Sequence, residues 1–203
     1  MKRERQIFLI DIGNTSTHIG VLEDGRIIKD FRIKTRKILK RKIDFAVLCS
    51  VSPKTTKKWI EYFKKRKIDF IEFKPENYPF KVNYSLKQIG SDRLANCLGV
   101  YGYYRFPAII VDSGTATTVE LVDRNGTYLG GAIFPGIEIS KEIIIQKAEK
   151  IKNVEFKECK SFIGKNTEEA LFSGIIAETV GGVEFLIKRY KNCLLYTSPS
   201  PRD

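Results

Sequence analysis

Ile7–Ile27 reads IFLIDIGNTSTHIGVLEDGRI, and Ala108–Tyr128 reads AIIVDSGTATTVELVDRNGTY. Shifted by 112 − 11 = 101 positions, the two align without gaps. Asp11 then meets Asp112, Gly13 meets Gly114, Thr17 meets Thr118, Val21 meets Val122 and Gly25 meets Gly126. Each stretch reads as a buried strand, a tight Asp-x-Gly turn, a second strand and a hairpin turn, Glu23-Asp24-Gly25 or Arg124-Asn125-Gly126. A glycine at the first turn lets backbone N–H groups approach an anion with no Cβ in the way. The Ser and Thr hydroxyls that follow add donors to phosphate oxygens. The carboxylate at the strand end can hold a cation that neutralises phosphate charge. Two such loops can grip a nucleotide triphosphate between them.

The rest of the chain alternates strand and helix patterns. Asp44–Val51 (DFAVLCSV) predicts a buried strand, Lys54–Lys67 an amphipathic helix with Trp59, Tyr62 and Phe63 on one face, and Ile68–Phe73 a short strand. Ile89–Arg105 predicts a helix leading into the second Asp-x-Gly strand, and Gly136–Lys150 and Thr167–Arg189 are later helices. Asn166 or Thr167, with Glu168 and Glu169 behind it, starts the last one. No Gly/Ser-rich linker interrupts the chain, and the boundary between halves is expected near Tyr104–Pro107, where the repeat restarts.

Composition sets the outer limits. The chain has 203 residues, 42% hydrophobic and 30% charged, enough for a packed core. Its apolar runs, such as Ile7–Ile10 and Ala108–Val111, are too short for a bilayer span, and no cleavage site follows Met1–Arg5. A cytoplasmic protein with no membrane partner is expected. Cys49, Cys97, Cys159 and Cys193 are widely spaced and His18 stands alone, so neither a zinc site nor a disulfide framework is suggested. The formal net charge of +12 is concentrated in Arg32–Lys42 and Lys54–Lys67. A solvated helix face explains the second stretch better than a nucleic-acid track, so no nucleic-acid partner is expected. A positive field also attracts small anions.

Residues Cys193–Asp203, CLLYTSPSPRD, reverse-translate into a sequence resembling a transposase sequencing adapter. The expectation is a non-native tail over 193–203, with the native C-terminus missing and a second domain cut short at 192. Such a product is expected to be marginally stable and inactive.

Five motifs occur in order: Asp11-Ile-Gly-Asn-Thr15, Gly90-Ser-Asp-Arg93 followed by Asn96, Asp112-Ser-Gly-Thr-Ala-Thr-Thr118, Gly130-Gly-Ala-Ile-Phe-Pro-Gly136, and Ile163-Gly-Lys-Asn-Thr167. In this order they resemble the type III pantothenate kinases, within the actin-like ATPase, sugar-kinase and Hsp70 superfamily. The resemblance runs from Ile7 to about Glu184. It implies an α/β chain of two ribonuclease-H-like domains, 1–105 and 106–192, with duplicated phosphate loops. It implies ATP-dependent phosphorylation of pantothenate, the first step toward coenzyme A, with Mg²⁺ and a monovalent cation (K⁺ or NH₄⁺) as cofactors. Carried over by position, Asp11, Gly13, Asn14, Thr15, Ser16 and Thr17 form the first phosphate loop, Asp11 lies near Mg²⁺, and Thr115 contacts ATP. Asp112 helps bind the monovalent cation. Gly90, Ser91, Asp92 and Arg93 line the pantothenate pocket, with Asp92 as general base and Arg93 on the substrate carboxylate, where a two-pronged guanidinium fits. Tyr84 is placed in that pocket although Tyr84–Gly90 lacks the proline usual in the family. Thr167 reaches the substrate of a neighbouring subunit in a homodimer with shared sites. Ser113 and Glu120 are mild departures beside the second loop, and Tyr101, Tyr103 and Tyr104 are read as core or dimer packing. The alternatives are a non-catalytic regulator or another small-molecule kinase of the same superfamily, and, from a different class, a basic nucleic-acid-binding module.

Overall fold

A computed structural model describes residues 6–148 and 157–196, and the chain divides into two compact units, Met1–Tyr103 and Tyr104–Asp203. The fold is mixed α/β. In the first unit β1 (Ile7–Ile12), β2 (Ser16–Glu23) and β3 (Arg26–Lys34) form an antiparallel meander. Next come β4 (Phe45–Ser50), α1 (Pro53–Arg66), β5 (Asp69–Phe73) and α2 (Ser91–Tyr103). The five-stranded sheet has the order β3-β2-β1-β4-β5, with β4 parallel to both β1 and β5. A parallel pair needs a crossover, which α1 supplies.

Side chains alternate across a strand, so one face of β1 sends Phe8, Ile10 and Ile12 inward beside Ile19 and Val21 of β2 and Ala46 and Leu48 of β4. Trp59 and Phe63 of α1 close this core, with ring centroids 5.5 Å apart and both fully buried. Truncating either ring would cost about 3–5 kcal/mol. Pro53 opens α1, where its missing N–H breaks no bond. The helix ends at Lys67, left-handed with φ 55°, while the Ile68 N–H bonds the Phe63 carbonyl at 2.9 Å.

The second unit contains β6 (Ala108–Ser113), β7 (Ala116–Val122), β8 (Tyr128–Pro135), α3 (Ile137–Lys147) and α4 (Thr167–Tyr196). Its sheet is antiparallel in the order β6-β7-β8, and α4 packs on β6, β7 and α3. By length and composition α4 could cross a membrane, which the short apolar runs of the sequence did not suggest, because its apolar residues are spread over about eight helical turns. It also carries Glu168, Glu169, Glu178, Glu184, Lys188 and Arg189. The helix continues to Tyr196, into the stretch read as adapter-derived, and residues 197–203 of that stretch lie outside the described residues.

The gapless repeat needs a correction. Ile12 pairs with Thr17 across the first turn, whereas Ser113 pairs with Thr117 across the second. The turn between β1 and β2 is one residue longer, so Thr17 corresponds to Thr117, and Val21 to Leu121, at a shift of 100. Burial agrees: Thr17, Thr117, Ile19 and Val119 are all completely buried. A bulge sits at Val21/Leu22 in one sheet and at Leu121/Val122 in the other. By Gly25 and Gly126, both at positive φ, the shift has returned to 101.

Candidate active site

The first loop begins where β1 delivers Asp11, exposed, to its carboxyl end. The Gly13 N–H donates to the Ser16 carbonyl at 3.0 Å, and a Cβ on Gly13 would lie only 3.0 Å from that same oxygen. Asn14 and Thr15 are exposed at the tip and Ser16 is half-buried. Thr35, just past β3, fastens the turn from beneath. Its hydroxyl donates to the Gly13 carbonyl at 2.9 Å and its N–H to the Thr15 carbonyl at 3.3 Å. Sequence reading missed this buried threonine, which lies in no motif; the hairpin turn at Asp24-Gly25 implied a returning strand, and Thr35 sits at its end. Thr17, expected among the phosphate donors, is fully buried, and among the described residues its hydroxyl has no hydrogen-bond partner. Strand alternation turns it into the core, away from the loop tip.

Beside this loop lies the start of α2. Asp11 is the register partner of Cys49 on β4. The Cys49 thiol is pushed up to about 12, first by burial and then by the negative charges of Asp11 and Asp92. Both carboxylates therefore act on one thiol near the carboxyl ends of β1 and β4. Asp92 occupies the first turn of α2, half-buried, and its Oδ1 accepts the Arg93 N–H at 2.8 Å. A Cβ on Gly90 would fall 2.3 Å from that oxygen, so glycine leaves the space that the carboxylate fills. Arg93 is buried with its guanidinium 5.4 Å from the Tyr84 ring centroid. Gly90 and Ser91 line a cavity of about 730 Å³ that also reaches Ser50, Val51 and the first turn of α1.

In the second unit, Asp112 is exposed near the end of β6, and the Gly114 N–H closes the turn on the Ala116 carbonyl at 3.0 Å. Gly136, at the N-terminus of α3, donates its N–H to the Thr115 carbonyl at 3.1 Å. A Cβ there would lie 2.0 Å from the Gly114 carbonyl oxygen, so the helix start and the loop pack backbone on backbone. Glu120 is no mild departure. It is buried, bonds the Tyr128 hydroxyl, and fills the space opposite its register partner Gly131, where a Cβ would sit 2.3 Å from its Oε2. Ser113 and Thr117 face each other with hydroxyls 3.5 Å apart. Thr167 begins α4, exposed, one residue after Asn166, whose Oδ1 accepts the Glu169 N–H at 2.9 Å. Glu169 accepts the Lys165 N–H at 3.0 Å, and this bond holds its carboxyl below the usual range.

Asp11, Gly13, Asn14, Thr15 and Ser16 thus share one loop, and Gly90, Ser91, Asp92 and Arg93 share one helix start with Tyr84 beside it. Asp112 and Thr115 share the loop of the second unit, and Thr167 stands on a separate helix. Tyr103 is 87% and Tyr104 74% exposed, so neither belongs to a core, while Tyr101 meets Phe80 edge to face with ring centroids 4.9 Å apart. Among the described residues no three His, Cys, Asp or Glu side chains cluster as a ready cation cage. Mg²⁺ keeps several waters and takes one or two carboxylates together with substrate phosphates. Asp11 offers one exposed carboxylate at the mouth of the first turn.

The sequence profile of the type III pantothenate kinases matches residues 7–189. The type III pantothenate kinase of Agathobacter rectalis is 31% identical over 208 residues, covering 91% of this chain and 80% of that protein. That of Geotalea daltonii is 32% identical over 211 residues, covering 91% and 81%. A solved Campylobacter jejuni structure, described as a Baf family transcriptional activator, superposes with a TM-score of 0.60 at 25% identity, covering 90% of this chain and 78% of that one. With the profile spanning nearly all of the described residues and both motif loops in place, this chain belongs to the type III pantothenate kinase family.

Proposed function

We propose that this chain transfers the γ-phosphoryl group of ATP to the primary hydroxyl of pantothenate, with Asp92 taking the hydroxyl proton. The observation that carries this reading is the placing of two carboxylates in the first unit: Asp11 ends β1 as the register partner of Cys49, and Asp92 opens α2 in the space that Gly90 leaves. Phosphoryl transfer asks for a carboxylate near the metal-bound phosphates and another near the attacking oxygen. In the step, the pantothenate oxygen bonds to the γ-phosphorus as the bond to the β–γ bridging oxygen breaks. Asp92 holds the released proton and ADP leaves. Arg93 pairs with the substrate carboxylate and Tyr84 borders it; its position over Arg93 supports that role. Asn14, Thr15 and Ser16 donate to phosphate oxygens, Asp11 holds Mg²⁺, which neutralises phosphate charge when bound, and Thr115 contacts ATP.

The finer expectations rest on smaller supports. Matching bulges and buried threonines in the antiparallel strands β1-β2-β3 and β6-β7-β8 support a duplicated, ribonuclease-H-like architecture with domains 1–105 and 106–192. Asp112 and neighbouring backbone oxygens suit a weakly held K⁺ or NH₄⁺ ion. The apolar side chains that α4 leaves exposed, Val180 and Phe185 among them, support a homodimer in which Thr167 reaches the partner's substrate. A cytoplasmic location suits the substrates.

The test is ADP release in the presence of pantothenate, Mg²⁺ and K⁺ or NH₄⁺, by the protein with a native C-terminus restored in place of residues 193–203. Pantothenate-dependent turnover that falls about 10²- to 10⁴-fold in Asp92→Asn would establish both the reaction and the base. A folded chain that binds ATP without pantothenate-dependent turnover would overturn it in favour of a regulator.

A further inference from the structure

The two basic stretches meet in the structure. The Tyr62 hydroxyl donates to the Arg41 carbonyl at 3.0 Å, pinning the segment before β4 onto α1. Between them opens a cleft of about 390 Å³ lined by five cations, Lys40, Arg41, Lys42, Arg66 and Lys67, and by no Asp or Glu. Ile43, which is buried, Ile68 and Tyr62 form the apolar part of its lining, and the Arg66 guanidinium lies 5.9 Å from the Tyr62 ring centroid. Among the described residues, none of these five cations forms an ion pair.

Cations at a helix C-terminus normally complement the helix dipole. That explains Lys64, Lys65 and Arg66 in the last turn of α1 but not Lys40, Arg41 and Lys42, which arrive from another segment. Lys67 adds a second point. It holds the left-handed position that favours glycine, yet its side chain is a cation on the cleft wall. Gathering like charges around one cleft is unfavourable until a polyanion neutralises them.

We infer that this cleft is a binding site for a small polyphosphate-bearing anion, separate from the residues assigned to catalysis. Arg41 and Arg66 supply planar forks for phosphate oxygens, the three lysines supply point charges, and Tyr62 offers a ring face to a base. The volume suits one compact ligand.

Lysine acylation of the whole chain, read residue by residue by mass spectrometry, tests this with inorganic tripolyphosphate as the probe. Expected is several-fold protection of Lys40, Lys42 and Lys67 at millimolar probe, with Lys54 and Lys58 of α1 unchanged. Lys67→Gly relieves the left-handed position and so keeps the fold; it should raise the midpoint for Lys40 and Lys42 roughly fivefold. Arg41→Gln with Arg66→Gln should abolish protection. ATP protecting at lower concentration than tripolyphosphate, with the advantage lost in Tyr62→Ala, identifies a nucleotide; equal midpoints identify the inorganic anion. No protection by either, or protection only by a single-stranded oligonucleotide that also covers Lys54 and Lys58, would overturn the site.

Discussion

Gly90 exists in this chain to make room for Asp92: a Cβ at position 90 would stand 2.3 Å from the Asp92 Oδ1 and 3.3 Å from Val51. The atom in the way is the end of a side chain, so the backbone need not move. Gly90→Ala should therefore cost about 1 kcal/mol of stability, the low end for added bulk, while rotating the carboxylate off the Arg93 N–H. Turnover should fall at least tenfold with little change in melting temperature. Equal, modest losses of both would show that the carboxylate's position does not matter.

Gly136→Ala meets a harder obstacle, because the Gly114 carbonyl 2.0 Å away is backbone. The second loop must shift or the start of α3 must fray. Destabilisation of about 1–3 kcal/mol is expected, together with a raised KM for ATP. Thermal unfolding and steady-state kinetics together check it; an unchanged KM would separate this loop from nucleotide binding.

Thr35 braces the first loop without facing its outer side. Thr35→Val keeps the shape and the backbone bond to Thr15 but leaves the Gly13 carbonyl without its hydroxyl donor, at a cost of about 1–3 kcal/mol. KM for ATP should rise several-fold with the pantothenate KM unchanged.

Cys49 reports the charge at the sheet edge. Its ordinary thiol value is 9.0 and its folded value about 12, so the neutral form is favoured on folding. That contribution to stability is complete below pH 9.0 and is lost as pH rises toward about 12. Asp92→Asn and Asp11→Asn each remove a negative neighbour and should lower the thiol pKa, yet leave it above 9.0, because burial is the largest cause. Alkylation of Cys49 at pH 9 should therefore quicken in both variants, with exposed Cys193 as the internal reference. An unchanged rate in Asp92→Asn would place that carboxylate away from the edge.

Strand and helix order was legible because hydrophobic spacing is a local property. The periodicity of DFAVLCSV and the amphipathic pattern around Trp59 point to β4 and α1, which the fold contains. Two strands were harder to see. β3 lies at a sheet edge with most of its residues exposed, so it lacks a clear alternating pattern, and β8 is interrupted by glycines. The repeat was visible, but its register was not: one extra residue in the first turn leaves the motif residues recognisable while moving Thr17 opposite Ile12.

By itself, the sequence determined the motif loops, the family and the kinds of side chain available for phosphoryl transfer, since these depend on residue type and short-range spacing. Only tertiary structure decided which way each one points. Thr17 turns inward because a strand has a period of two. Asp11 and Asp92, far apart in the chain, both act on Cys49 because β4 lies parallel to β1 and α2 begins beside it. Lys42 and Lys67 line one cleft because β4 and β5 pair across α1. Such proximities follow from long-range pairing, which no local pattern encodes.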